Sequence, residues 1–393
     1  MSTNTIENPL KRLTPEQLDE LAEEFQKIHD DVFNDLGERD AKYIRGIIDA
    51  HRRLGAMSRI FLLASRYPPA WILGTIGLST AKILENMEIG HNVLHGQWDW
   101  MNDPAIHSST WDWDTASPAA AWKHSHNYVH HTYTNIVGKD KDVGYEIMRI
   151  DPKQKWYPWY LLQPIYNLFL TAFFEWGVAL HDLDFEAIRK GKKSKKQLRD
   201  ELKAIARKGR RQIVKDYIAF PLLSGRSGFK RTFWANFTAN IVRNIWSHAI
   251  IFCGHFPDQT YTFTEEEVED ETRGGFYVRQ LIGAANIEGG PTFHVMSGNL
   301  GYQVEHHLYP DMPSSRYAEI APRVRAVCEK YDLPYNTGPF GKQWRSVQRT
   351  IIRLAFPGGS PRPKPGPWKE PEKTPEREER FTRDAESALT PFP

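Results

Sequence analysis

The sequence suggests helices, some of them apolar and approaching bilayer-spanning length, alternating with polar, histidine-rich stretches. Three observations point to this. Apolar residues recur at helical spacing near the start. Later apolar stretches approach the ~20 residues a crossing requires. Histidines pair four positions apart, which puts both on one face of a helix.

The elements follow in order. Residues 15–54 read as one or two polar helices, with Pro15 near the start and Leu18, Leu21, Phe25 and Ile28 on one stripe. The short apolar run Ile60–Ser65 and the longer one Ala70–Ile89 suggest a hairpin that enters and leaves a bilayer, bent at Tyr67-Pro68-Pro69. Lys82, Glu85 and Glu88 lie in the second half of the longer run. From Trp156 to Leu180 the chain is aromatic and aliphatic with one acid, Glu175, and Trp156, Tyr157, Trp159 and Tyr160 suit an interfacial belt. Arg189–Lys215 is strongly basic, against the acids Asp200 and Glu201. It reads either as a solvated helix face or as a cytosolic loop facing anionic headgroups or a phosphorylated substrate. Phe233–Phe256 is apolar but interrupted by Asn236, Asn240, Arg243, Asn244 and His248. Glu265–Glu271 reads as a solvated loop. No span is clean, so hydropathy alone leaves both an embedded and a non-embedded body open.

Composition narrows the function. The 393 residues carry 51 Lys plus Arg against 49 Asp plus Glu, a formal charge of +2, which gives no reason to expect nucleic-acid binding. The mean hydropathy of −0.57 argues against a purely intramembrane body. Cys253 and Cys328 are too few for a disulfide framework or a thiolate metal site. The first residues lack an apolar signal core, so no secretory signal is expected. The proline-rich, charged C-terminal stretch is expected to be disordered from about residue 357.

The 15 histidines are unevenly spread. His91 and His95 form one H-x-x-x-H. His126 and His130 form a second, with His131 about 100° further round a helix, so this cluster can serve one metal and reach toward another. His306 and His307 follow Gln303 at a third place. One such pair arises by chance, and a lone histidine is usually a satisfied core or surface residue. Three paired clusters in one chain point to metal. There is no H-E-x-x-H, and no second Glu-x-x-His beside Glu88–His91 to complete a carboxylate-bridged pair. So many imidazoles exceed what one zinc uses and fit two non-haem irons.

The order HNVLH, HNYVHHTYTN, QVEHHLYP resembles the membrane fatty acid desaturases with three histidine boxes. The strings NMEIGHNVLHGQWDWMND, IFCGHFPD and FHVMSGNLGYQVEHHLYPDMPSSRY are similar to their actinobacterial acyl-CoA branch. The likeness runs from about Trp71 to Tyr331. It implies an all-α polytopic membrane protein, multi-pass in the cell membrane, with a cytosolic helical cap holding a histidine-rich di-iron site. In domains, it implies a polar N-terminal region at 1–58, a desaturase domain at 59–335 and a tail at 336–393. His91 and His95 match the first box, His126, His130 and His131 the second, and Gln303, His306 and His307 the third. A further ligand precedes the third box in related enzymes, and His248 and His255 are the two candidates, His255 being favoured. His107, His124 and His294 match no box position and read as structural or as supports of the ligands. Asp140, Asp142 and Tyr145 are expected to orient the second box. Trp98, Trp100, Trp122 and Phe293 either line an acyl tunnel or simply pack.

The implied activity is an O2-dependent desaturation of a fatty acyl chain, carried on coenzyme A or another acyl carrier, that gives a cis double bond. Hydroxylation on the same scaffold is the alternative, separated by product: an alkene has lost two hydrogens, an alcohol has gained an oxygen. A histidine-rich metal-storage protein without redox chemistry is a third reading. The chain has no G-x-G-x-x-G and no His-Pro-Gly-Gly haem string, so a separate ferredoxin- or NAD(P)H-reductase-type electron donor is expected.

Overall fold

A computed structural model describes residues 8–359 and 362–369. The chain is mostly helical and forms two compact units that are interleaved in sequence rather than consecutive. One comprises Met1–Tyr43, Tyr128–Tyr166 and Ala249–Pro393; the other comprises Ile44–Asn127 and Asn167–His248.

In the first unit the N-terminal stripe behaves as its spacing predicts. Pro15–Phe33 is a helix whose N-terminus is closed by a reciprocal cap between Thr14 and Gln17. Leu21, Phe25, Ile28 and Val32 are buried in a core with Tyr277, Leu281, Val304, Tyr317 and Val324. The Tyr309 hydroxyl donates to the Phe25 carbonyl at 2.9 Å. Arg316 forms a buried two-pronged pair with Asp40, at 2.6 and 2.8 Å. Two short parallel strands, β1 (Asn286–Glu288) and β2 (Thr337–Pro339), pair Asn286 with Thr337 and Ile287 with Gly338. They clamp the segments that precede and follow the third histidine box. Most of the C-terminal stretch expected to be disordered lies outside the described residues. Its 362–369 part has no regular secondary structure and is hydrogen-bonded within the first unit, with Trp368 N–H donating to the Leu333 carbonyl at 2.7 Å.

The second unit holds the apolar segments, and here the expectation of a polytopic membrane fold is corrected. Among the described residues, no helix is long and apolar enough to cross a membrane. The physical reason is the polar residues that interrupt each run. Pro68–Leu84 spans only 17 residues and buries Lys82, which donates to Asp216 at 2.8 Å. Arg59 pairs with the same carboxylate at 2.8 Å. In Gly225–His255, Asn240 donates to Asp216 at 3.3 Å and Arg243 pairs with Glu175 at 2.5 Å. All but the partly buried Arg59 are buried, and they satisfy one another, as buried charge must. Lys195–Ile213 is capped by Ser194 and Gln197 and turns most of its basic residues outward, while Gly209 lies against the Trp176 ring.

Candidate metal centre

The first box follows Pro68–Leu84 with no break in the helical path, but the helix widens. Glu85–His91 is a π-helix that passes into the short helix Asn92–Leu94. Lys123–His130 is also π-helical. Such widened turns occur often at functional sites because they shift side chains off the α-helical register. His91, His95 and His126 meet in the second unit, with ligand nitrogens within 4.8 Å of one another. Ring centroids of His95 and His126 are 5.2 Å apart, and Trp122 stacks on His126 at 4.6 Å. His91 Nδ1 lies 3.0 Å from the Asn92 amide oxygen. Asn92 is oriented by its own NH2, which donates to the Glu88 carbonyl at 3.0 Å. His91 Nδ1 therefore carries the proton and Nε2 keeps its lone pair.

A second cluster lies in the first unit. His130, His255 and His307 are buried, and their ligand nitrogens also lie within 4.8 Å of one another. Nε2 of His255 and Nε2 of His307 are 3.4 Å apart, a separation a cation can bridge with bonds of about 2.1 Å. His131 stacks on His307 at 4.7 Å and stands edge-on to His306 at 5.0 Å. In the second box, His126 lies with the first-box pair, and His130 lies with His255 and His307.

Three polar residues set the tautomers. The Asp140 carboxylate accepts from His130 Nδ1 at 3.0 Å and is itself held by the backbone N–H of Asn135 at 2.7 Å and of Asp142 at 2.9 Å. Burial alone lowers the proton affinity of His130, but Asp140 and Asp142 outweigh it and the net shift is upward. Gln280 donates its NH2 to the His131 carbonyl at 2.9 Å, so its oxygen accepts from His307 Nδ1 at 3.0 Å. The Tyr317 hydroxyl donates to the Tyr309 carbonyl at 3.2 Å and so accepts from His306 Nδ1 at 3.1 Å. In all three histidines Nε2 is left as the ligand atom.

Asp140 and Asp142 thus stand where the sequence puts them, beside His130. Tyr145 instead stacks on Phe252 at 5.5 Å. The choice left open between His248 and His255 has a clear geometry. His248 is buried against the Asn167 amide oxygen, at 3.0 Å, and the edge of Phe174, while His255 faces His130 and His307. Gln303 is buried with its NH2 3.1 Å from His255 Nε2, and its oxygen has no hydrogen-bond partner among the described residues. His294 stacks on Tyr302 at 4.3 Å, and His107 is hydrogen-bonded to Ser109 at 2.9 Å. Gln280 and Tyr317 were not singled out from the sequence. They belong to no box, and Gln280 lies 27 positions from the imidazole it holds.

The donor set fits a metal. Two groups of imidazoles, His91, His130 and His307 among them with tautomers fixed by hydrogen bonds, and an unbonded amide oxygen beside His255 suit a borderline cation such as iron. Residues 66–339 match the family described as fatty acid desaturase. The chain belongs to the fatty acid desaturase family. It is 48% identical over 348 residues, 88% of this chain and 82% of the relative, to a Mycobacterium tuberculosis protein named NADPH-dependent stearoyl-CoA 9-desaturase. It is 26% identical over 279 residues to the sn-1 linoleoyl-lipid 6-desaturase of Synechocystis, covering 69% of this chain and 76% of that one. As a fatty acid desaturase it is an oxidoreductase that acts on paired donors with O2.

Proposed function

We propose that this desaturase acts on a long-chain saturated acyl-CoA, introduces a cis bond near the middle of the chain, and uses two irons held by the histidine clusters. The observation that carries the metal reading is the pair of imidazole groups, His91–His95–His126 and the buried His130–His255–His307. His131, His306 and Gln303 complete the proposed ligand set. The 48% relative supports the substrate and the position.

When bound, the metals supply the oxidising power from O2 that no side chain has. The chain does the rest. Asp140, Gln280, Tyr317 and Asn92 hold the Nδ1 protons, so each imidazole presents a lone pair at a fixed angle. The buried setting keeps bulk water from the reacting carbons. A separate NADPH-linked reductase supplies the electrons, in keeping with the relative's name.

The protein is also proposed to work at the cytoplasmic face of the cell membrane. Ile72, Leu73, Ile76, Leu168, Leu222 and Leu223 of the second unit are all exposed, an apolar surface that suits lipid.

The test is the fatty acid profile of a host expressing the chain with a reductase, beside a host carrying His130→Ala and His131→Ala. A new monoene, absent from the variant, is the expected result, and derivatisation locates its double bond. A hydroxylated chain instead would move the reaction to the alternative outcome. Iron per purified chain, near two and lost in the variant, checks the metal reading separately.

A further inference from the structure

Residues 362–369 lie outside the family match, yet they touch the supports of the metal site from two sides. At one end Arg362 pairs with Asp258 at 3.3 Å. Lys364 Nζ donates to the Asp258 carbonyl at 3.2 Å and also to the Thr260 carbonyl. Thr260 in turn donates its hydroxyl to the carbonyl of His255 at 2.8 Å, closing the end of the helix that carries that imidazole. Asp258 is further tied to Thr350 at 2.9 Å and to Arg349 at 3.0 Å.

At the other end the Trp368 ring stands edge-on to Tyr335, with centroids 5.2 Å apart. The Tyr335 hydroxyl donates to Glu305 at 2.6 Å. Asn286 donates to Glu305 at 2.9 Å and accepts from the Val304 N–H at 2.8 Å. Glu305 and Val304 belong to the short helix Gln303–Leu308, which carries Gln303, His306 and His307. Arg362 and Lys364 also wall a cavity of about 190 Å³ that reaches His255 and is lined by Asp151, Lys153 and Arg353. The alternating prolines at 363, 365 and 367 lower the entropy lost when such a segment docks.

We propose that residues 362–369 are a positioning strap. Lys364 holds His255 through Thr260, and Trp368 holds the third box through Tyr335 and Glu305. Docking of the strap and binding of metal by His130, His255 and His307 are therefore thermodynamically linked. This rests on the metal reading of those histidines given above.

The experiment uses the full chain loaded with Fe(II) without oxygen and challenged with excess chelator. The Lys364→Ala/Trp368→Ala chain is expected to release metal about tenfold faster, the size typical of lost ligand support. Trp368→Phe, which keeps an aromatic ring on Tyr335, is expected to stay near the wild-type rate. Linkage is reciprocal, so in the wild-type chain Fe(II) is expected to slow exchange of the Trp368 amide about fivefold or more. That measurement needs no variant and decides the matter if the double variant fails to fold. Equal release rates in folded chains, or a Trp368 amide indifferent to metal, would overturn the proposal. A wild-type chain that binds no metal would remove the metal reading itself, and the proposal with it.

Discussion

Gln280 accepts the Nδ1 proton of His307 at 3.0 Å while donating its own NH2 to the backbone of His131 at 2.9 Å. One amide thus fixes the direction of a third-box imidazole from the second-box backbone. Gln280→Leu removes the acceptor of the His307 proton and one donor to the His131 carbonyl. Metal affinity is expected to fall about 10- to 100-fold, read by titration with Co(II) as a spectroscopic substitute. Gln280→Glu keeps an acceptor and is expected to retain more of the affinity than Leu. If Leu and wild type titrate alike, Gln280 does not orient His307.

Asp140 does for His130 what Gln280 does for His307, but with charge. Asp140→Asn keeps the shape and removes the charge that raises the proton affinity of His130. The imidazole becomes a weaker donor, and metal binding is expected to weaken by about tenfold or more. The same substitution at Asp142, 3.6 Å from the ring, is expected to do less. Isothermal titration of both variants ranks them, and a reversed order would refute the assignment.

Gly254 leaves room for Gln303. A methyl group at 254 would sit 2.8 Å from Gln303 Cγ and Cδ, closer than carbon atoms tolerate. Gly254→Ala is expected to push Gln303 away from His255 and cut desaturation more than stability. Desaturase turnover and Tm measured on one preparation test this. A fully active Ala variant would show that Gln303 has no fixed place at the site.

Lys364 gives the strap a pH dependence of predictable sign. Burial pulls its ammonium down to about 8 from 10.5, against the opposing pull of Asp151 and Asp258 and with the repulsion of Lys153 and Arg353. Below about 8 the docked and undocked forms are both protonated. Between about 8 and 10.5 the undocked lysine holds more proton than the docked one, so docking strengthens as pH rises. Protection of the Trp368 amide, corrected for intrinsic exchange, is expected to grow from pH 7.5 to 9.5 and to become flat in Lys364→Met. Protection that falls over this range would reverse the sign.

Local pattern made part of this molecule legible. Pairs four apart announced the imidazoles, and the stripe from Leu21 to Ile28 announced the helix that carries it. Two things were not local. The π-helical turns at Glu85–His91 and Lys123–His130 depend on packing and have no composition of their own, so the widened register of both boxes could not be read. The partners that fix the tautomers lie far off or outside any motif, as Gln280 does for His307. The apolar runs misled because their length suggests a span despite the interruptions at Lys82, Arg243 and Asn240. In the fold they are a satisfied interior, paired with Asp216 and Glu175.

The burial of Phe25 beneath Tyr309 has a practical consequence for anyone trimming the gene. Family boundaries at 66 and 339 would cut away the helix Pro15–Phe33, whose apolar stripe fills the interior behind the third box. A fragment designed on those boundaries would expose that interior to solvent and would be expected to aggregate on expression. An expression product therefore needs the helix Pro15–Phe33 and the segment to Lys369, and an affinity tag belongs outside that span.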